Sequence, residues 1–286
     1  MEMVHFIPPG QRRLAMLAAQ ADSAPALVCG ASGTGKGGIA KWIHANSARA
    51  AKPLLTARRD IAILDQLPMA QGGTLIIPEI GEWPLSEQLV ILNFLKTRSI
   101  PHAVTGTRML LNVRIVATSD QGLEGRARGG LFNEELLEKL NVFRIDMPPL
   151  SRRSDEFEDI VLGITGEITR ELHKEHLRTL SPEAWQKLRS YDWPGNMREL
   201  RNVMRLTVAA ASGDRIELRD LPEFGHDRID FHATREEFER VYILELLKAY
   251  DWEIDATCKA GRMDRTTLLA KMDRYRITSK SPEALL

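Results

Sequence analysis

Through the first half of the chain, short and mostly apolar runs alternate with longer amphipathic stretches. ALVCG (26–30), GTLII (73–77) and VRIVATS (113–119) are brief and bounded by glycine, proline or polar residues. That is the pattern of strands buried on both faces of a parallel sheet. Between them, GKGGIAKWIHANS and LSEQLVILNFLKTRS repeat apolar positions at helical spacing, so residues 1–150 are predicted to form an α/β unit. From Ser151 onward the strand signals almost vanish. SDEFEDIVLGITGEITRELHKE, SPEAWQKLRSY and NMRELRNVMRLTVAAA are helical by period and open on Ser or Asn, which predicts a small helical subdomain over 151–224. LPEFGHDRIDFHA (221–233) has proline, glycine and mixed charge without period, so 225–233 is predicted to be a linker. A last helical cluster fills 234–286, and no internal repeat or low-complexity segment interrupts the order.

Composition changes this picture in two respects. Lysine plus arginine and aspartate plus glutamate are 39 each, so any surface for nucleic acid must be local rather than global. Cys29 and Cys258 lie far apart, no structural disulfide is expected, and a reducing cytoplasm is the implied compartment. No apolar run approaches the roughly 18 residues of a membrane span, and no signal-peptide pattern opens the chain. No membrane partner is expected.

The first candidate chemistry is GASGTGKG, residues 30–37, directly after a predicted strand and before a predicted helix. Gly30, Gly33 and Gly35 let backbone N–H groups converge on phosphate oxygens. Lys36 adds a point charge, while Ser32, Thr34 and Gly37 complete the loop. A glycine-rich turn with a surface lysine is the plainer reading, and the strand–loop–helix context argues against it. Gly37 stands where a general phosphate loop has the Ser or Thr that ligates magnesium. The strand ending at Ile77 should likewise lead into an acidic pair, and here it reads Pro78-Glu79.

The segments GASGTGKG, IAKWIHANSARAAKPLL, GGTLIIPEIGEWPLSEQLVILNFLKTRSI, VRIVATSDQGL, EELLEKLNVFRIDMPPLSRRSDEFEDI and YDWPGNMRELRNV resemble, in order, the AAA+ domain of bacterial enhancer-binding proteins, the activators of sigma-54 RNA polymerase. The C-terminal EFERVYILELLKAYDWEIDATCKAGRMDRTTLLAKMDRYRI resembles their Fis-type helix-turn-helix. The resemblance implies an AAA+ P-loop core with a helical lid, followed by an all-α DNA-binding domain. No receiver domain is expected ahead of the core. It also implies where the working parts fall. The Walker B aspartate position is Pro78, leaving Glu79 as a remnant; sensor I falls on Ser119; the arginine fingers fall on Asn133 and Lys139; the sensor II arginine survives as Arg198. Proline offers no ligand, asparagine no charge, and lysine no planar fork. The stretch from Lys36 to Gly72 is also short by the family's measure, and the GAFTGA loop that touches sigma-54 is absent from it. With metal, water, transition-state and output positions all altered, the expectation is a pseudo-ATPase with no catalytic residues. ATP or ADP is expected to bind weakly and magnesium to be poorly held.

In DATCKAGRMDRTTLLAKMDRYRI a turn near Gly261 precedes a second helix from about Asp264. Arg265, Thr266 and Thr267 at its start suit base edges, and Lys271 and Arg274 suit phosphates. A solvated helical hairpin is the plainer alternative. The preceding helix carries Phe238, Val241, Tyr242, Leu244 and Leu247, a stripe that would pair two copies into a dimer unless it packs within its own subunit. His173 and His176 have helical spacing but no evident third ligand, so no metal is expected there. The sequence is therefore read as a transcriptional regulator binding double-stranded promoter DNA, acting without sigma-54, with a further oligomer through the AAA+ core and RNA polymerase or another regulator as protein partner. Two rival readings are an ATP-driven activator in mixed rings and a protein-binding modulator of an intact family member.

Overall fold

The computed structural model describes residues 6–101, 107–120, 122–224, 231–275 and 277, with backbone alone for 231–238 and 241. The chain divides into two units, Met1–Glu156 with Pro194–Arg198, and Phe157–Trp193 with Glu199–Leu286.

In the first unit, α1 (Pro9–Gln20) leads to β1 (Ala26–Gly30) and α2 (Lys36–Ala45). There follow β2 (Leu54–Thr56), α3 (Ile63–Met69), β3 (Thr74–Ile77) and α4 (Leu85–Thr97). A two-stranded hairpin of β4 (Ser99–Pro101) and β5 (Arg108–Leu110) precedes β6 (Arg114–Ser119). Then come α5 (Leu123–Arg128), α6 (Glu134–Leu140) and β7 (Arg144–Met147). Five strands form a parallel sheet in the order β2-β3-β6-β1-β7.

Strand side chains alternate between faces, so the central strands β1, β3 and β6 each supply two cores. Leu27, Cys29, Leu75, Ile77, Ile115 and Ala117 pack with Leu67 of α3, Phe94 of α4 and Leu136 of α6. Ala26, Val28, Ile76, Val116, Ile145 and Met147 pack on the other face with Ala15 and Ala18 of α1 and Ile39 and Ile43 of α2. Burial pushes the Cys29 thiol up to about 11.

Near the amino ends of the strands, Arg49 donates to the carbonyls of Gly73 (3.0 Å) and Asn112 (3.1 Å) and to Asp22 Oδ1 (2.9 Å). Fully buried Arg114 donates to the carbonyls of Ala24 and Ala18, and burial, with Arg49 nearby, pushes its guanidinium down to about 10. These contacts fix loops at the end of the sheet opposite the phosphate loop.

In the second unit, α7 (Phe157–Glu171) and α8 (Pro182–Arg189) precede α9 (Asn196–Ala210), whose first turn belongs to the first unit. Ser181 caps α8 by accepting from the Ala184 N–H, with Pro182 at the first helical position. Phe157, Tyr191, Trp193 and Phe224 form an aromatic cluster with centroids 5.1–6.2 Å apart. The Lys174 ammonium donates to the carbonyls of Val208 (3.2 Å), Ala209 (2.7 Å) and Ala211 (3.0 Å), closing the end of α9. Because α7 ends at Glu171 and His173 is left-handed, His173 and His176 do not share a helix face as their spacing suggests.

The chain then forms α10 (Phe231–Ala249), α11 (Ile254–Gly261) and α12 (Arg265–Arg274). Residues 231–233, expected as linker, are already helical, and 225–230 lie outside the described residues. Ile243, Leu247, Leu268 and Ile277 make the core of this cluster. Among the described residues no helix is long and apolar enough to cross a membrane.

Candidate functional site

The carboxyl ends of β1, β3 and β6 place residues 30–36, 78–79 and 119–120 together, at the edge where parallel α/β sheets bind ligands. The loop after β1 turns through left-handed Gly33 (φ +80) and Gly35 (φ +97), the latter directly before α2. A Cβ on Gly33 would stand 2.1 Å from the Gly195 carbonyl oxygen, so the segment Pro194–Arg198 fits only a glycine there. That segment is tied to the loop along its length. Asn196 Nδ2 donates to the Ser32 carbonyl (3.0 Å), the Arg198 N–H to the Gly33 carbonyl (3.1 Å), and Arg198 Nη1 to Ser32 Oγ (3.3 Å). Asn196 Oδ1 also accepts from the Leu150 N–H at 2.8 Å. Thr34 is buried, and its hydroxyl donates to the Ala31 carbonyl at 2.8 Å.

Lys36 opens α2 with its side chain only 6% exposed. Its ammonium donates to the Gly30 carbonyl (2.6 Å) and to Asp120 Oδ1, and is ion-paired with Glu79 Oε1 at 2.9 Å. Glu79 is held in a left-handed conformation (φ 45), its N–H donating to Thr118 Oγ1 at 3.2 Å. Asp120 was not singled out by sequence reasoning; the available signal was an acid placed directly after the strand that pairs with β1.

Two positions for magnesium provide no oxygen side chain. A Cβ on Gly37 would meet nothing within 4 Å, so the space for a hydroxyl exists and the atom does not. Pro78 follows the end of β3, and its carbonyl accepts from Trp83 Nε1 at 2.9 Å. Ser119 is buried at the end of β6. Asn133 caps α6, accepting from the Leu136 N–H at 2.9 Å, while Lys139 is exposed on that helix. The residues present do not fit a magnesium ion held as in an ordinary phosphate loop.

The second candidate surface is α12. Arg262 in the left-handed conformation follows α11, and Asp264 caps α12 by accepting from the Thr267 N–H (2.8 Å) and hydroxyl (2.6 Å). Thr267 is therefore engaged with the cap, whereas Arg265 and Thr266 are exposed. Arg265 pairs with exposed Asp255 at 2.6 Å. Lys271, expected on phosphates, is half-buried and ion-paired with Glu239 of α10, which also accepts from the Tyr275 hydroxyl. Arg274 is exposed and lies over the Tyr275 ring, 5.6 Å from its centroid. The expected dimer stripe is partly used at home. Leu247 is buried in the module's core and Tyr242 and Leu244 pack against it, while the side chains of Phe238 and Val241 lie outside the described residues.

The sheet order, the phosphate loop and the helices that follow define a P-loop AAA+ protein with a helical lid. Residues 11–150 match the family described as the Sigma-54 interaction domain, and residues 151–238 match the AAA+ ATPase lid domain. ZraR, a transcriptional regulatory protein of Escherichia coli K12, is 30% identical over 304 residues, covering 95% of this chain and 68% of its own length. AlgB, an alginate biosynthesis transcriptional regulatory protein of Pseudomonas putida, is 30% identical over 279 residues, or 88% of this chain and 62% of its own. A solved structure of NtrX from Brucella abortus in complex with ATP superposes with a TM-score of 0.64 at 25% identity, covering 94% of this chain and 67% of that one. The chain belongs to the family of sigma-54-type AAA+ transcriptional regulators. It spans about three fifths of the length of the AlgB proteins it matches.

Proposed function

We propose that this chain is a sequence-specific DNA-binding transcriptional regulator whose AAA+ core does not hydrolyse ATP and which acts without sigma-54. One observation carries this reading: Lys36 is neutralised by two carboxylates beside two positions, Gly37 and Pro78, that offer no oxygen to a cation. The altered arginine positions support it, since Asn133 serves as a helix cap and Lys139 has no fork to stabilise charge on a transferred phosphoryl group. Between Thr56 and Thr74 the chain has only the short helix α3, which supports independence from sigma-54. The core then serves as a scaffold that binds ADP or ATP weakly, with domains over 1–150, 151–224 and 234–286, the last a Fis-type helix-turn-helix that pairs into a homodimer on promoter DNA.

A second reading, an ATP-driven activator in mixed rings, is favoured by the position of Arg198 against Ser32 in an otherwise intact loop. Genome-wide DNA occupancy, mapped in cells with and without sigma-54, tests the main reading. Discrete sites and unchanged target transcription are expected in both strains. Loss of the transcriptional response without sigma-54 would favour the mixed ring, and absence of occupied sites would favour a modulator that never touches DNA.

A further inference from the structure

Resting on the reading of residues 30–37 as a nucleotide site, we infer that Asp120 is an internal competitor for the phosphate chain and sets the site's affinity. An ammonium has three N–H donors. Lys36 gives hydrogen bonds to the Gly30 carbonyl and to Asp120 and is ion-paired with Glu79 at 2.9 Å, so its charge is already shared between two carboxylates. A phosphate oxygen must therefore compete with these partners for the ammonium.

The three partners differ in how firmly they are held. The Gly30 carbonyl belongs to a strand paired on both sides. Glu79 is anchored through its N–H and its left-handed backbone. Asp120 lies just beyond β6, and its side chain is 54% exposed against 29% for Glu79, so it returns to water at least cost. Asp120 is thus the gate. Once displaced it still opposes a polyphosphate, because one ammonium faces two carboxylates and neither Gly37 nor Pro78 recruits a cation to offset them.

The test is calorimetry of ADP, without magnesium and at fixed ionic strength, on the full chain and on Asp120→Asn and Asp120→Ser. Both substitutions lie at an exposed loop position, and matching thermal unfolding verifies the fold. Removing a unit charge near contact distance should tighten ADP by about tenfold or more, with a gain that shrinks as salt is raised. In a Lys36→Met background the gain should shrink to the part due to direct repulsion between Asp120 and the phosphates, because the competition for that ammonium is gone. An undiminished gain there overturns the inference. Measurable ADP binding by the parent chain with no gain in either variant overturns the inference and leaves the nucleotide site standing. Binding by the variants but not by the parent supports it and means that the clamp masks the site. No binding by the parent chain or by either Asp120 variant overturns both.

Discussion

Gly37 and Pro78 each remove one oxygen atom from the phosphate site, and the structure leaves different room around the two losses. At Gly37 an added Cβ would meet nothing within 4 Å, so a threonine is expected to fit there. At Pro78 the carbonyl is engaged by Trp83, a bond that does not depend on the proline ring. Restoring both oxygens by Gly37→Thr with Pro78→Asp should therefore be tolerated. The expected outcome is nucleotide affinity that rises with magnesium in the double variant and is indifferent to it in the parent chain. Calorimetry with and without magnesium checks this, and equal magnesium dependence in the two proteins would mean that another residue already supplies the ligand. The two losses and the glycines of the loop are legible in the sequence because they are identities at fixed spacing. The Asp120 clamp is not, because it depends on which strand ends are neighbours, and β1 and β6 are far apart in sequence yet adjacent in the sheet.

At the scale of elements, β1, β3 and β6 are legible because strands covered on both faces read as nearly continuous apolar runs. The edge strands β2 and β7 are not: Leu54 and Thr56 are exposed, and Arg144-Ile-Asp-Met alternates polar with apolar residues. The start of α12 is legible through its cap, since an Asp followed by Arg-Thr-Thr marks a helix N-terminus. What pattern alone missed is that the cap engages Thr267 and that Glu239 claims Lys271. The expectations for substitutions change with it. Arg265→Ala should relax sequence preference at one position of each half-site by about 1–3 kcal/mol, since its bond to exposed Asp255 is cheap to exchange. Arg274→Ala should weaken binding to all sequences and flatten the salt dependence. Lys271→Ala should lower the stability of the three-helix module instead. Selection of binding sites from random DNA, with unfolding measured alongside, separates the three; an unchanged motif for Arg265→Ala would reject α12 as the reading helix. Within the lid, Lys174→Met leaves three carbonyls at the end of α9 without their donor. It should destabilise the protein by about 1–3 kcal/mol in urea unfolding, and no change would show that water replaces the ammonium fully.

For the whole molecule, a net charge of zero means that the proposed DNA binding would rest on local basic residues of the C-terminal module. Residues 234–286 carry ten basic and ten acidic residues, so the module has no net charge and only its last stretch is locally basic. One such module is a poor anchor, which is the physical argument for pairing two copies. The expected binding motif accordingly has two related half-sites about one helical turn apart, or a multiple of it. Since Leu247 is already buried within the module, any pairing surface on α10 must be built from its remaining apolar residues. On this account the AAA+ core contributes architecture rather than chemical work, and that claim has a direct measurement. Phosphate release by the purified chain, with ATP and magnesium, should equal the background of Lys36→Ala, alone and on DNA carrying its binding site. Magnesium-dependent turnover on the order of one per second, within the ordinary range for such enzymes and abolished by Lys36→Ala, would contradict it.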